Sequence, residues 1–185
     1  MLDAIWQYAK EEAIPRRWRI LINGHLFLAM VVGVVIYTSA EGTTFSKLRV
    51  GELTGALLTY GAIALGFSLA GLTIALTLPD KEFAKVLALK VLPKLPSNQN
   101  AYSDLLFVFS WTGILHWIVI VLALCFSFLV GQEHQIVPDG AGRLRRSLVA
   151  VFATIVIYSV CQFLVTLITL SQVGQSYIED LRRRK

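Results

Sequence analysis

Four long stretches of this chain contain no Asp, Glu, Lys or Arg. They run over Ile20–Ala40, Leu53–Pro79, Leu105–Gly131 and Ser147–Ile178. Each is longer than the roughly 20 residues that a helix needs to cross the hydrocarbon core of a bilayer. Helices on the surface of a water-soluble protein keep a charged face, which these stretches lack. The sequence therefore predicts an all-α integral membrane protein with four transmembrane helices, over 20–40, 53–79, 105–130 and 147–172.

The segments outside these spans are short, so the 185 residues form a single membrane domain, 1–185. Residues 1–14 place apolar side chains on one helical face and charged ones on the other, and Pro15 follows. This pattern predicts an interfacial amphipathic helix, with docking on a partner as the alternative. Residues 80–104 form the second loop. Within it, the mixed stretch Asp80–Leu92 is predicted to extend the second span or to lie in the interface.

The distribution of basic residues predicts the orientation. Twelve of the 17 Lys and Arg residues lie in the N-terminal segment, the second loop and the C-terminal tail, which share one side of a four-span topology. The other five lie in the first and third loops, including the cluster Arg143, Arg145 and Arg146. Because Lys and Arg concentrate on the cytoplasmic side, we expect both termini in the cytoplasm.

The same basic residues have a second interpretation besides orientation. They are candidates for contact with anionic membrane lipids or with a cytoplasmic protein partner. This set contains Arg16, Arg17, Lys85, Lys90, Arg182, Arg183 and Arg184. The net charge of +5 needs no nucleic acid to explain it, and no direct nucleic-acid binding is expected.

The second span carries small residues on two opposite faces. At 100° per residue, one face holds Gly55, Thr59, Ala62, Gly66, Ala70 and Thr73, and the other holds Gly61, Ala64, Ser68, Gly71 and Ala75. Small residues let membrane helices approach closely, so this helix is predicted to have a close neighbour on each side. One neighbour can belong to a second subunit, which predicts a homo-oligomer. The alternative is that both neighbours belong to the same bundle.

Polar side chains lie inside the third and fourth spans. His116 lies near the middle of the third span, with Thr112 one turn before it. An ionisable group at this depth is costly, and it marks a candidate functional site. The fourth span repeats polar side chains every three or four residues: Thr154, Tyr158, Gln162, Thr166 and Thr169. These residues are expected to form an interhelical hydrogen-bonded seam or to line a narrow aqueous path; a cluster of His116, Tyr158 and Gln162 is geometrically possible.

The sequence shows no residue pattern for catalysis. No carboxylate occupies a span, and no nucleophile-elbow, metalloprotease or phosphate-loop motif occurs. Cys125 and Cys161 lie inside spans and form no C-x-x-C pair. The three histidines fall at different depths. We therefore expect no enzyme activity, no cofactor and no metal site.

From the second span onward the chain carries Thr59-Tyr60-Gly61-Ala62, then Leu69-Ala70-Gly71-Leu72-Thr73, then the basic stretch Lys81–Lys94 before two further spans. In this order of segments it resembles the RexB-like four-span membrane proteins of phage exclusion. The N-terminal helix and the second loop are longer here. The resemblance implies a bacterial inner-membrane ion channel that depolarises the membrane when a cytoplasmic partner detects infection, and it implies no catalytic residue.

The function expected from the sequence is therefore an oligomeric pore, or a membrane-perturbing effector or sensor, in antiphage defence. A non-conducting membrane anchor or sensor that recruits a cytoplasmic partner is the first alternative. A small transporter is the second.

Overall fold

The computed structural model describes residues 24–39, 48–77, 81–89, 100–138 and 142–183, together with Lys10. In these ranges the chain forms five α-helices: α1 Gly24–Ser39, α2 Val50–Leu76, α3 Lys81–Leu89, α4 Ala101–Val130 and α5 Arg143–Arg183. The same ranges contain no strand, and an isolated β-bridge joins Arg49 to Gln135. The all-α prediction is confirmed for this part of the chain. The predicted helix over 1–14 lies outside the described residues.

Three of the helices, α2, α4 and α5, are long and apolar enough to cross a membrane. The described part of α1 is also apolar but has only 16 residues. Large apolar side chains point outward, and Phe128 and Leu129 are each more than 80% exposed. Soluble monomers rarely expose extended apolar surfaces. The chain is therefore consistent with a helical membrane protein, while the count of four spans stays a prediction.

The long helices pack as two antiparallel pairs. α2 packs most extensively on α4, α1 packs on α5, and contacts between α4 and α5 join the pairs. Ala29 of α1 packs with Leu115 and Tyr158, whereas Ile36 packs near Val149. The helices thus alternate in direction along the chain. One end of the bundle holds α3, and we call it the α3 end; the other holds residues 131–138, and we call it the capped end.

The α2–α4 interface depends on residues that are too small to hold the helices apart. Gly61 and Gly71 are buried against α4. A Cβ atom on Gly61 would lie 2.6 Å from Ile120 Cγ1, and one on Gly71 would overlap the ring of Phe109. Glycine is required at these two positions because the neighbouring side chains occupy the space that a Cβ atom needs.

At the capped end, residues 131–138 fold back over the start of α2. The N–H groups of Val50 and Gly51 donate to the carbonyls of His134 (2.9 Å) and Gln132 (3.0 Å). These amides come from the first turn of α2, where no intrahelical acceptor exists. Ile136 and Val137 are buried in the same place, against Val50 and Val149. The segment therefore caps α2 and covers apolar surface at once.

Arg145 holds this cap in place from the first turn of α5. Its Nε donates to the carbonyl of Ile136 at 3.0 Å, and its guanidinium also donates to the carbonyl of Gln135. Hydrogen bonds from a charged donor contribute about 1.5–3 kcal/mol each. We therefore expect Arg145→Ala to increase hydrogen exchange of the Ile136 and Val50 amides by roughly tenfold or more. Hydrogen–deuterium exchange in detergent micelles measures this change.

Arg143→Ala is the matched control, because Arg143 lies two residues away and is exposed. This control should leave exchange at both amides unchanged. Equal exchange in the two variants would show that Arg145 does not hold the cap.

α5 is much longer than the predicted span 147–172, and most of the additional length lies at the α3 end. Its 41 residues extend about 60 Å at 1.5 Å per residue, twice the roughly 30 Å thickness of a hydrocarbon core. α3 packs against this end of the bundle through Phe83 and Leu87, which are both buried. The Phe83 ring meets Tyr177 of α5 edge to face, with centroids 5.0 Å apart. α3 therefore packs on α4 and also contacts the last turns of α5 through this ring pair.

Candidate functional site: a polar network around His116

The centre of the bundle holds a polar network contributed by three helices. His116 of α4 is fully buried, at 0% exposure. Tyr60 reaches it from α2, and Phe163 of α5 meets its ring edge to face with centroids 5.8 Å apart. We call Tyr60, Thr112, His116 and Thr166 the His116 network.

The hydrogen bonds of the imidazole determine its tautomer. Nδ1 lies 2.6 Å from the carbonyl oxygen of Thr112, one turn earlier in α4. A carbonyl oxygen only accepts, so Nδ1 carries the proton and donates it. In the neutral ring Nε2 is then the acceptor, and the hydroxyl of Tyr60 donates to it at 2.8 Å. One side chain thus joins α2 to α4 by a direct hydrogen bond.

A second hydrogen bond joins α4 to α5. The hydroxyl oxygens of Thr112 and Thr166 are 2.8 Å apart, and both residues are buried. Thr166 donates its proton to the carbonyl of Gln162 at 2.9 Å. Thr112 is therefore the donor in the pair with Thr166, since each hydroxyl has one proton. His116 and Thr112, one turn apart in α4, therefore connect α4 to α2 and to α5.

The polar residues of α5 do not all face the same neighbour. Thr154 donates to the carbonyl of Ala150 at 2.9 Å and packs directly against Gly33 of α1. Tyr158 is buried with Ala29 and Leu115, between α1 and α4. Gln162 and Thr166 are also buried. Within one subunit Tyr158, Gln162 and Thr166 are enclosed by protein, whereas Thr154 is half-buried.

Tyr60 is the member of the network that was not predicted from the sequence. A cluster of His116 with Tyr158 and Gln162 was expected, whereas the structure pairs the ring with Tyr60. A signal was present in the sequence, because Tyr60 immediately precedes Gly61 on the close-packing face of the second span. A Cβ atom on Gly61 would lie 3.7 Å from the carbonyl oxygen of His116, so this close approach brings Tyr60 to the ring.

The two small faces of the second span have different environments. The face with Gly61, Ala64, Ser68, Gly71 and Ala75 is buried against α4. All six residues of the opposite face are exposed: Gly55, Thr59, Ala62, Gly66, Ala70 and Thr73. A Cβ atom on Gly55 or Gly66 would meet no atom within 4 Å. We call this second set the open face of α2.

The predicted basic contact residues lie in exposed positions where they are described. Lys85 is exposed on α3 and forms an ion pair with Glu82 at 3.0 Å. Arg182 and Arg183 are exposed at the end of α5. Arg16, Arg17, Lys90 and Arg184 lie outside the described residues. Within the described part of the chain, no group of three or more His, Cys, Asp or Glu residues is placed to hold a metal ion.

The Tyr60 hydroxyl is expected to stabilise the bundle. Tyr60→Phe would leave Nε2 of the buried imidazole without its donor, and an unsatisfied buried polar atom costs about 1–3 kcal/mol. We expect a corresponding loss in the free energy of unfolding, measured by denaturant titration in detergent micelles. Tyr37→Phe is the matched control, because Tyr37 is exposed on α1. An equal effect of both substitutions would contradict a specific role for the Tyr60–His116 bond.

No protein-family model matches this chain, and neither a curated protein nor a solved structure shows significant similarity to it. These comparisons therefore bring no activity, partner or mechanism to the chain.

Proposed function

We propose that this chain is the subunit of a homo-oligomeric pore or membrane-perturbing effector in the bacterial inner membrane, acting in antiphage defence. The open face of α2 supports the assembly of subunits, because it is the counterpart of the face that already packs on α4. The resemblance of the chain to RexB-like proteins motivates the membrane-depolarising role.

The open face suits a close helix contact in lipid. Its two threonines donate to their own helix, Thr59 to Gly55 O at 3.0 Å and Thr73 to Leu69 O at 2.9 Å. The face therefore presents small side chains whose hydroxyl donors are already paired. Tight packing of such surfaces drives helix association in membranes. A second copy of the same helix offers an equally small surface, which favours an α2–α2 contact around a two-fold or higher symmetry axis.

The burial of the polar side chains favours a conducting path between subunits over one within a subunit. His116, Thr112 and Thr166 are enclosed within the subunit, so a path along them would need the helices to separate. A path between subunits needs no such rearrangement. In the proposed pore, the open faces hold neighbouring copies together, ions pass along the symmetry axis that the copies enclose, and the polar seam of α5 stabilises each subunit.

The proposed topology has four spans and cytoplasmic termini, and it places the α3 end in the cytoplasm. The excess of basic residues in the N-terminal segment, the second loop and the C-terminal tail of the sequence supports this orientation. Arg145, one of the five basic residues near the other end, has a local structural role in the cap, so its position there does not argue against this assignment. α3 and the last turns of α5 then form the cytoplasmic surface on which gating acts.

Electrical recording tests the pore directly. Purified protein in planar bilayers should give discrete current steps, and induced expression should depolarise cells, as followed with a potential-sensitive dye. Protein-free detergent dilutions and uninduced cells are the controls. The absence of both current and depolarisation, with correctly inserted protein, would refute the proposal.

A non-conducting anchor is the second candidate, and the projecting end of α5 favours it. Arg182 and Arg183 are exposed on a helix that continues well past the length of a span. Such a helix can present basic side chains to an acidic cytoplasmic protein. An anchor should retain a soluble partner in gentle detergent and lose it when Arg182–Lys185 are replaced by Ala. Recovery of no partner would count against this candidate.

A further inference from the structure

A groove of about 350 Å³ runs along the surface of the bundle between α1 and α5. This volume falls within the range of about 300–1,000 Å³ that is usual for ligand pockets. Small residues form the floor of the groove, because a Cβ atom on Gly33 of α1 would overlap the hydroxyl of Thr154 on α5. Its walls include Val34 and Val151, which are both more than half exposed. The groove therefore opens outward, toward the lipid that surrounds a membrane bundle.

The lining changes from polar to apolar along the bundle axis, starting at the capped end. Tyr37 and Ser147 line the groove at that end, since α1 and α5 are antiparallel, and both are exposed. Met30 and Thr154 lie deeper, and Thr154 already donates its proton to the carbonyl of Ala150 at 2.9 Å. The deep part therefore presents no free hydroxyl donor. A phospholipid has the same order of groups, with its ester carbonyls near the surface and its acyl chain deeper.

Arg143 continues the polar end of the groove by one further turn of α5. Ser147 and Thr154 follow it by one and by three turns, so the three side chains share one helical face. Arg143 lies about 6 Å further out along the axis than Ser147, at the depth of a headgroup. It is exposed, and its guanidinium forms no hydrogen bond or ion pair within the described part of the chain. Its N–H donors can therefore bind two oxygens of one phosphate.

The charges around Arg143 favour a lipid with a net negative charge. α5 begins with Arg143, Arg145 and Arg146 and has no acidic residue in its first turn. The guanidinium of Arg145 donates to two backbone carbonyls, which are neutral acceptors and leave its charge uncompensated. The N-terminus of a helix also carries a partial positive charge. An anion at this point is stabilised by all of these charges, whereas the ammonium group of a zwitterionic lipid is repelled by them.

We propose that the groove between α1 and α5 binds one anionic phospholipid, of the phosphatidylglycerol class. Its phosphate accepts hydrogen bonds from Arg143, and its ester carbonyls accept from Tyr37 and Ser147. One acyl chain lies along Val34 toward the centre of the membrane. The bound lipid joins α1 to α5 at the capped end. This inference needs the chain to lie in a bilayer, but it does not need the chain to conduct ions.

Lipid retention tests the proposal. The purified protein is equilibrated with mixed micelles containing equal amounts of phosphatidylglycerol, phosphatidylethanolamine and phosphatidylcholine with identical acyl chains. The lipids that stay bound to it are then counted by native mass spectrometry. We expect the wild-type chain to retain phosphatidylglycerol roughly fivefold over each of the other two, which is the preference that one basic residue near an anionic lipid produces.

One pair of variants tests the headgroup contact. Arg143→Gln should remove most of the preference for phosphatidylglycerol, because it takes away the guanidinium that holds the phosphate. Arg182→Gln is the matched control, since it removes the same charge from an exposed position of the same helix at the α3 end. This control should retain phosphatidylglycerol as the wild-type chain does.

A second pair of variants tests the groove itself. Val34→Phe should lower retention of all three lipids, because the added ring takes the place of the acyl chain. Val35→Phe is its matched control, since Val35 is the next residue of α1, is exposed to a similar degree and does not line the groove. Circular dichroism of each variant checks that the helices remain folded.

Several results would overturn the proposal. They are equal retention of the three lipids by the wild-type chain, equal effects within either pair of variants, and displacement of the lipid by millimolar glycerophosphoglycerol. The last would identify a soluble anion in place of a lipid. Because retention is measured without any current, a chain that keeps phosphatidylglycerol but gives no conductance would refute the pore and leave the lipid site standing.

Discussion

Gly71→Leu is expected to prevent stable packing of α2 on α4. Even a single Cβ atom at this position would overlap the ring of Phe109, and Phe109 is itself buried, at 1% exposure. Because Phe109 is buried, displacing its ring would disturb the side chains around it, and we expect the larger leucine to force the two helices apart over this part of their contact. Overpacking of a buried site, with the shifts of side chains and backbone that it forces, costs about 1–3 kcal/mol and occasionally more. We expect a loss of about 3 kcal/mol or more in the free energy of unfolding.

Gly66→Leu is the matched control for this substitution, because it makes the same change in the same helix. Gly66 lies on the open face, where a Cβ atom meets nothing within 4 Å. Denaturant titration is carried out in a detergent that keeps the subunit monomeric, so that the proposed open-face contact does not contribute. Followed by circular dichroism, it should show a destabilised Gly71→Leu subunit and a Gly66→Leu subunit close to wild type. If the two variants lose equal stability, α2 does not pack on α4 through its Gly71 face.

The sequence of the second span was enough to predict two close-packing faces. It was not enough to predict which neighbouring helix each face meets. Helical periodicity shows which residues share a face, and both small faces occupy their expected positions in α2. The choice between them depends on Phe109 and Ile120 of α4, which fit against Gly71 and Gly61. Such complementarity between distant segments does not show in the periodicity of either helix.

Hydropathy could not predict the cap formed by residues 131–138 or the full length of α5, for two different reasons. The cap depends on backbone pairing between Arg49 and Gln135, which are far apart in the chain. α5 continues past the predicted span 147–172 because the residues after it contain no Pro and only one Gly, Gly174, which a helix tolerates. Hydropathy indicates which residues lie in lipid, but it does not indicate the residue at which a helix ends.

In the His116 network, too, the sequence identifies residues of one helix but not the residues that they contact on the others. His116 and Thr112 stand out in the sequence because polar groups at that depth are costly. Their partners depend on the rotation of α2 and α5 about their own axes. That rotation brings Tyr60 to Nε2 of the ring and Thr166 to Thr112. It also turns Thr154 toward Gly33 of α1, away from the other polar residues.

Ala62→Leu is expected to abolish self-association of the subunit without unfolding it. Ala62 lies near the centre of the open face and is exposed in the single subunit, so a larger side chain meets no atom of its own bundle. In an α2–α2 contact between copies, the added isobutyl groups would hold the backbones apart, and the close packing that drives association would be lost. We expect a change from oligomer to monomer in mild detergent, together with loss of membrane current.

Ala56→Leu is the matched control for this substitution. Ala56 is also a small, exposed residue of α2, but at 100° per residue it lies about 80° away from Gly66, to one side of the open face. The two variants add the same apolar atoms to the same helix, so a general effect of bulk or hydrophobicity would act on both. Light scattering of the purified variants measures the subunit count. If Ala62→Leu assembles as wild type does, the open face is not the subunit contact, and a pore formed there is excluded even if current is observed.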